Sequence, residues 1–175
     1  VTQVGTTWHM MLSQVPNIEW YTATDVAGPW TYQTEPGTTN PAFEPGAAAW
    51  MEDRVFNPAL VCEEAGAAHP FTLFFGGRDL PVDTNVEQTI GFGLATMPEP
   101  WDQFISATSP LFTFTDNSNQ DDWRAWDAMR IGDRYAVFYA QRDLSTPVKR
   151  RIGIAYSYDA TADTGWDVAP DWVES

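Results

Sequence analysis

Cysteine and lysine are nearly missing from these 175 residues: each occurs once, as Cys62 and Lys149. A single cysteine rules out an intrachain disulfide and leaves the redox compartment unreadable from cysteine usage. The basic side is short altogether, with 9 Lys and Arg against 24 Asp and Glu and a formal net charge of -15. Such a charge repels phosphate backbones and anionic membrane surfaces. It argues against nucleic acid and membrane partners and leaves neutral or cationic ligands open. Long apolar runs are missing as well, none reaching the roughly 18 residues that a membrane helix requires. No initiator Met, basic stretch or apolar segment of signal-peptide type opens the chain, and Val1 leads almost directly into a strand-like run. The expectation is a chain that begins inside a larger domain, its compartment unassigned. Histidine is scarce too. His9 and His69 stand apart from each other and from other ligating residues, so no metal site and no cofactor are expected. His9 alternates with apolar neighbours and reads as a hydrogen-bonded strand histidine.

What is present is apolar and aromatic: 43% hydrophobic residues and 14% aromatic ones, a globular composition. Helical periodicity is hard to find. Short runs rich in Val, Ile, Phe, Tyr and Trp recur between Gly, Pro, Asn and Asp clusters, which is an all-β pattern. The runs repeat. Thr72-Leu-Phe-Phe-Gly-Gly-Arg-Asp-Leu80 is echoed by Ala136-Val-Phe-Tyr-Ala-Gln-Arg-Asp-Leu144 at an offset of 64. Ile90-Gly-Phe-Gly-Leu-Ala-Thr96 answers Ile152-Gly-Ile-Ala-Tyr-Ser157, and Trp101 answers Trp166. An earlier copy runs through His9-Met-Met-Leu12, Ile18–Thr24 and Gly28-Pro-Trp30. A unit of three or four short strands cannot bury both sheet faces alone, so copies must stack, and radial stacking gives a β-propeller. The repeats divide the chain at about 1–50, 51–115 and 116–175. Expected core positions are Leu12, Trp20, Leu60, Leu73, Phe75, Ile90, Val137, Tyr139, Ile152 and Ile154.

Each candidate functional residue has a structural reading beside it. Trp30, Trp101 and Trp166 recur at the repeat period and read as packing residues, whereas Trp50, Trp123 and Trp126 fall outside it beside polar groups and are candidates for ligand contact. The Arg78-Asp79 and Arg142-Asp143 pairs recur at one position and read as structural. Asp116–Asp122 is rich in oxygen ligands but lacks the glycine of an EF-hand loop, so it reads as a polar loop. Cys62 ends the apolar run from Ala59 and reads as a small buried thiol.

The order strand, strand, Ile-Gly-x-Ala-x-Ser and then Gly-x-Trp, seen in Ile152–Asp159 and Thr22–Trp30, resembles the blades of the glycoside hydrolase family 43, 32 and 68 superfamily. That resemblance implies a five-bladed propeller around a funnel, with about three blades in this chain. It also implies catalytic carboxylates on the innermost strands and a carbohydrate ligand. Two blades are then unaccounted for, and self-association to complete the propeller is one route to them. Arg54-Val-Phe-Asn-Pro-Ala-Leu-Val61 resembles the superfamily's Arg-Asp-Pro strand and places Asn57 where the family has an aspartate, which an amide cannot replace as an ionised group. The next innermost strand, Trp126–Ile131, puts Asp127 in register with Asn57, at the place of the family's general acid. Glu52 and Asp53 are the other candidate carboxylates, with Arg54 and Arg130 placed to hold or perturb them. The implied activity is hydrolysis of glycosidic bonds in oligo- or polysaccharides. A non-catalytic carbohydrate-binding propeller is the alternative, and Asn57 favours it. A sialidase-like reading of Asp25-Val-Ala-Gly-Pro-Trp30 needs an arginine cluster for which the acidic balance leaves little room.

Overall fold

A computed structural model of the chain describes residues 1–34, 41, 43–46, 48–63, 71–79, 88–97, 105–106, 112–116, 124–143, 149–158 and 167–168. For 88–97, 105–106, 112–116, 124–126, 139–143, 149–151 and 167–168 it describes the backbone alone. The expected all-β architecture is what it shows. Sheet 1 is β1 (Thr2–Val4), β2 (Thr7–Gln14), β3 (Asn17–Ala23) and β4 (Thr31–Gln33), in that order. Sheet 2 contains β5 (Arg54–Cys62), β6 (Phe71–Arg78), β7 (Gln88–Met97), β8 (Ile105–Ser106) and β9 (Phe112–Asp116). Here β8 and β9 both pair with β7, one beside Ala95–Thr96 and the other beside Gln88–Phe92. They share the edge that β6 leaves open, so sheet 2 also has four strand positions. Sheet 3 is β10 (Arg124–Ile131), β11 (Arg134–Asp143), β12 (Lys149–Ser157) and β13 (Asp167–Val168), in that order. All pairings are antiparallel. The one helical element among the described residues is a 3-10 turn at Ala49–Met51.

Local chemistry fixes the hairpins. The turns joining β1 to β2 and β10 to β11 each have two residues, with Val4 opposite Thr7 and Ile131 opposite Arg134. Gly5 and Gly132 open those turns at φ values of 58° and 64°, a conformation that other residues adopt only with strain.

Every residue of β6 is buried, because sheet 2 is covered on both faces. Alternation sends Phe71, Leu73 and Phe75 toward sheet 1, where they pack with Ile18 and Trp20. Phe74 points the other way, into a cluster with Ala59, Ala128 and Val137. Phe74, of the opposite parity, is thereby added to the expected core residues Leu73 and Phe75. Burying each of the large side chains contributes roughly 1.5–3 kcal/mol. His9 belongs to this core at 2% exposure: its Nδ1 accepts the Trp20 Nε1–H at 3.2 Å, and its ring lies 4.7 Å from that of Phe71. Burial holds its pKa down at about 4, so the imidazole is neutral, as a hydrogen-bonded strand histidine should be.

Trp20, Leu73, Phe75 and Val137 are buried as expected, and Leu60 and Ile154 are half-buried. Leu12 and Ile152 are not: they are 43% and 57% exposed. Both have the right strand parity for a stacked face, but each lies on an outer face of the three sheets, where no other sheet of the described residues covers it. The side chains of Ile90 and Tyr139 lie outside the described residues, as do Trp101, Trp166, His69 and residues 117–123 of the polar loop.

The sheets converge on one side. First strands β5 and β10 run beside each other, and β5 also meets β1, β2 and β3. Contact between neighbouring sheets is concentrated on β5 and β10, and Trp20 of β3 packs on Phe71 of β6.

Candidate functional site

The converging strands β5 and β10 are where a ligand would meet several sheets at once. Both are bulged at the same place. In β5 the pairing to β6 shifts between Phe56 and Ala59, and in β10 the pairing to β11 shifts between Ala125 and Asp127. Bulges of this kind bend a strand and re-aim the side chains beside it. Asn57 sits in the first bulge with φ 49°, the left-handed region that asparagine tolerates better than most residues. Its N–H donates to Ser13 Oγ of β2 at 2.9 Å, and nearby the Val55 N–H donates to Pro16 O at 2.9 Å. These two bonds fasten the bulged strand to sheet 1.

The ladders correct the expected register of Asp127. Asp127 faces Phe138 as Ala59 faces Phe74, and Phe74 and Phe138 are matched positions of the repeat. Asp127 is therefore the counterpart of Ala59, and Ala125 is the counterpart of Asn57. Counting along the sequence misplaced it because each strand contains an extra bulge residue that counting cannot locate. Asp127 is exposed, and its Oδ1 accepts the Ala128 N–H at 2.9 Å. It lies on the face of sheet 3 turned away from sheet 2, and no hydrogen bond or ion pair joins it to Asn57, Glu52 or Asp53.

Asp53 is committed to its neighbours. One carboxylate oxygen, Oδ2, accepts from Arg54 Nε at 2.8 Å and from the buried Arg78, Nη2 at 3.0 Å and Nε at 3.3 Å. The Asp53 N–H extends the β5–β6 ladder by donating to Arg78 O at 3.0 Å. Burial alone would raise the Asp53 pKa, but the hydrogen bonds and charges of the two guanidinium groups outweigh it and hold the carboxyl below its usual value. It is an ionised structural anchor, poorly suited to donating a proton. The repeated arginine of the Arg-Asp pair thus has the structural work expected of it. Glu52 follows the 3-10 turn and is exposed.

Trp50 is 8% exposed and packs in the core between sheets 1 and 2, its ring stacked on Phe75 at 5.5 Å between centroids. Its indole N–H finds no hydrogen-bond partner among the described residues. As placed, the ring faces protein rather than a ligand. Trp126 lies at the bulge of β10 with only its backbone described, and Trp123 lies outside the described residues. Arg130 reaches across to sheet 2, 3.5 Å from Glu63 Oε2, with its guanidinium 5.9 Å from the Tyr135 ring centre. Sequence reasoning missed Glu63. Its side chain is 7% exposed and accepts Thr72 Oγ1–H at 2.5 Å and Tyr135 O–H at 2.7 Å, joining sheets 2 and 3. No local signal could have marked it, since Tyr135 is 72 residues away in the chain. Among the described residues no group of three His, Cys, Asp or Glu side chains gathers as a metal site would require.

Three four-position antiparallel sheets, two of them with bulged first strands, have counterparts among solved structures. Sucrose-6-phosphate hydrolase from Lactobacillus gasseri superimposes with a TM-score of 0.67 at 15% identity, over 95% of this chain and 32% of that one. The chain has the fold of about three blades of a five-bladed β-propeller. A GH32 beta-fructofuranosidase from Bombyx mori matches at TM-score 0.66 and 16% identity, over 99% of this chain and 34% of that one. An alpha-L-arabinofuranosidase of family GH43 from Clostridium thermocellum matches at TM-score 0.56 and 13% identity, over 94% and 48%. The chain thus spans between about a third and a half of the length of these propellers. No protein-family model and no curated protein sequence matches it. In propeller terms the three sheets are blades, and β5 and β10 are innermost strands.

Proposed function

We propose that the chain is part of a glycoside hydrolase-like propeller acting on glycosidic bonds of oligo- or polysaccharides, with its carbohydrate site along the innermost strands β5 and β10. One observation carries this reading: the two converging strands are bulged at the same level, with Asn57 held in a left-handed conformation inside one bulge and the exposed Asp127 directly after the other. Residues held in such backbone regions cluster at functional sites. The resemblance of the fold to a fructofuranosidase and an arabinofuranosidase makes furanosides the substrate class to try first.

In this reading Asp127 is the proton donor to the leaving oxygen. Asn57, with one amide acceptor and two donors, binds sugar hydroxyls. Hydrolysis of this type requires a second carboxyl group, about 5–5.5 Å from the first for retention or about 6.5–9.5 Å for inversion. Glu52 is the exposed candidate for it, because Asp53 is tied to two arginines. Arg54 and Arg130 support the site by fixing Asp53 and Glu63, and Trp126, at the β10 bulge, is the candidate stacking residue, with Trp123 beyond the start of that strand.

The test is turnover of sucrose and of an aryl arabinofuranoside, with Asp127→Asn as the variant. Removing a general acid should lower the rate by roughly a hundredfold or more. If the protein neither cleaves nor binds any furanoside, the carbohydrate reading is wrong. Binding without cleavage leaves the non-catalytic propeller in its place.

A further inference from the structure

One face of strand β2 is turned toward sheet 2. On that face His9 is buried against Phe71, and Met11 packs half-buried against the core between the two sheets. Ser13 continues the same parity and stands opposite Ile18, which is fully buried. Ser13 is nevertheless exposed. Here the gap between sheets 1 and 2 opens to solvent, and it opens beside the β5 bulge, because Ser13 Oγ accepts the Asn57 N–H at 2.9 Å. The turn that follows is fastened to the same strand, with Pro16 O accepting the Val55 N–H at 2.9 Å. Two ties to one short stretch of β5 thus hold Ser13 in place.

Hydrogen-bonding capacity remains at both residues. A hydroxyl accepts through its lone pairs and donates its one proton, and Ser13 uses only an acceptor position on the Asn57 N–H. Among the described residues no acceptor takes the Ser13 proton. The Asn57 side-chain amide, able both to donate and to accept, makes no hydrogen bond among them either. The backbone behind each group is already ordered, Ser13 in the β2–β3 ladder and Asn57 in its bulge, so a ligand that binds them orders little chain. A hydroxyl donor beside an amide that donates and accepts matches two neighbouring sugar hydroxyls, each of them donor and acceptor in turn.

We propose that Ser13 is a substrate-binding residue supplied by sheet 1: its hydroxyl donates to one of two adjacent sugar hydroxyls while the Asn57 amide binds the other, an inference that rests on the reading of β5 and β10 as a carbohydrate site. Recognition then depends on a vicinal diol. A furanoside that lacks the hydroxyl facing Ser13 loses this contact and keeps the rest, so Ser13 sets specificity within the sugar as well as affinity for it.

NMR titration of the whole chain with methyl arabinofuranoside and methyl fructofuranoside, and with singly deoxygenated derivatives of whichever binds, tests this in the wild type and in Ser13→Ala. Loss of the hydrogen bond should weaken binding of the parent sugar by roughly threefold to tenfold. For one derivative, the one without the hydroxyl that Ser13 meets, wild type and variant should bind with equal affinity. Ser13→Thr, which keeps the hydroxyl, should show the wild-type pattern. If Ser13 only braced the bulge, Ser13→Ala would weaken the parent and every derivative by the same factor, and that result would overturn the proposal. So would an unchanged affinity of Ser13→Ala for the parent sugar. A wild type that binds no furanoside overturns the carbohydrate reading itself and this inference with it, an outcome distinct from the other two.

Discussion

Mild acid should weaken this protein well before its carboxylates are protonated, and His9 is the reason. The imidazole is buried between Trp20 and Phe71, and its pKa of about 4 is set by loss of solvation, whereas in the unfolded chain it returns to the ordinary histidine value of 6.5. Between those values the unfolded chain holds a proton that the folded one does not, so stability rises with pH across the window and falls as pH drops through it. A shift of this size corresponds to about 3 kcal/mol in full, of which about 2 kcal/mol is already lost at pH 5. The control is His9→Gln, whose side-chain oxygen can still accept the Trp20 indole N–H but cannot titrate near neutrality. Urea unfolding followed by tryptophan emission at pH 8 and pH 5 gives both stabilities. Wild type should lose about 2 kcal/mol more than the variant over that interval. Parallel losses in the two proteins would refute the assignment of a neutral, desolvated His9.

Other consequences follow from packing and charge. A Cβ on Gly77 would stand 2.4 Å from Trp50 Cζ3 and 2.7 Å from Met51 Cβ, so Gly77→Ala should destabilise by about 1–3 kcal/mol in thermal or urea unfolding. In a Trp50→Phe background the same change should cost less, by roughly 0.5 kcal/mol or more, because the two side chains compete for one space. Glu63→Gln leaves Tyr135 and Thr72 a weaker acceptor across the join between sheets 2 and 3. It should lower stability by about 1 kcal/mol or more, most of which a Tyr135→Phe background should remove. Cys62 should resist iodoacetamide at neutral pH. Its half-buried thiol is pushed up in pKa chiefly by burial, and the adjacent Glu63 charge adds to this, although the contact with Thr2 Oγ1 at 3.3 Å works the other way.

The architecture was legible in the sequence because the matched segments are strands with identical jobs. His9–Leu12, Thr72–Phe75 and Ala136–Tyr139 each supply the second strand of a sheet, whereas the burial of Phe74 on the second face of β6, beside the expected Leu73 and Phe75, was not read from the alternation. Leu12 and Ile152 show the limit of that logic. Their parity is that of stacked residues, and sequence cannot tell a middle sheet from an end one. The site was less legible for a related reason. Bulges fix which residue of β5 answers which residue of β10, and a bulge has no residue signature beyond Asn57 and Pro58 in one strand and none in the other. Partners remote along the chain escaped as well. Nothing around Glu63 announces Tyr135, and nothing around Asp53 announces that Arg78, 25 residues on, would claim it.

Crystallography of the protein soaked with a furanoside bears most directly on the reading of β5 and β10 as the site. The sugar should lie along the bulged stretch of these strands, with hydroxyls within hydrogen-bond distance of the Asn57 amide and the Asp127 carboxylate. A sugar bound elsewhere, or strands β5 and β10 found apart from each other, would contradict the account.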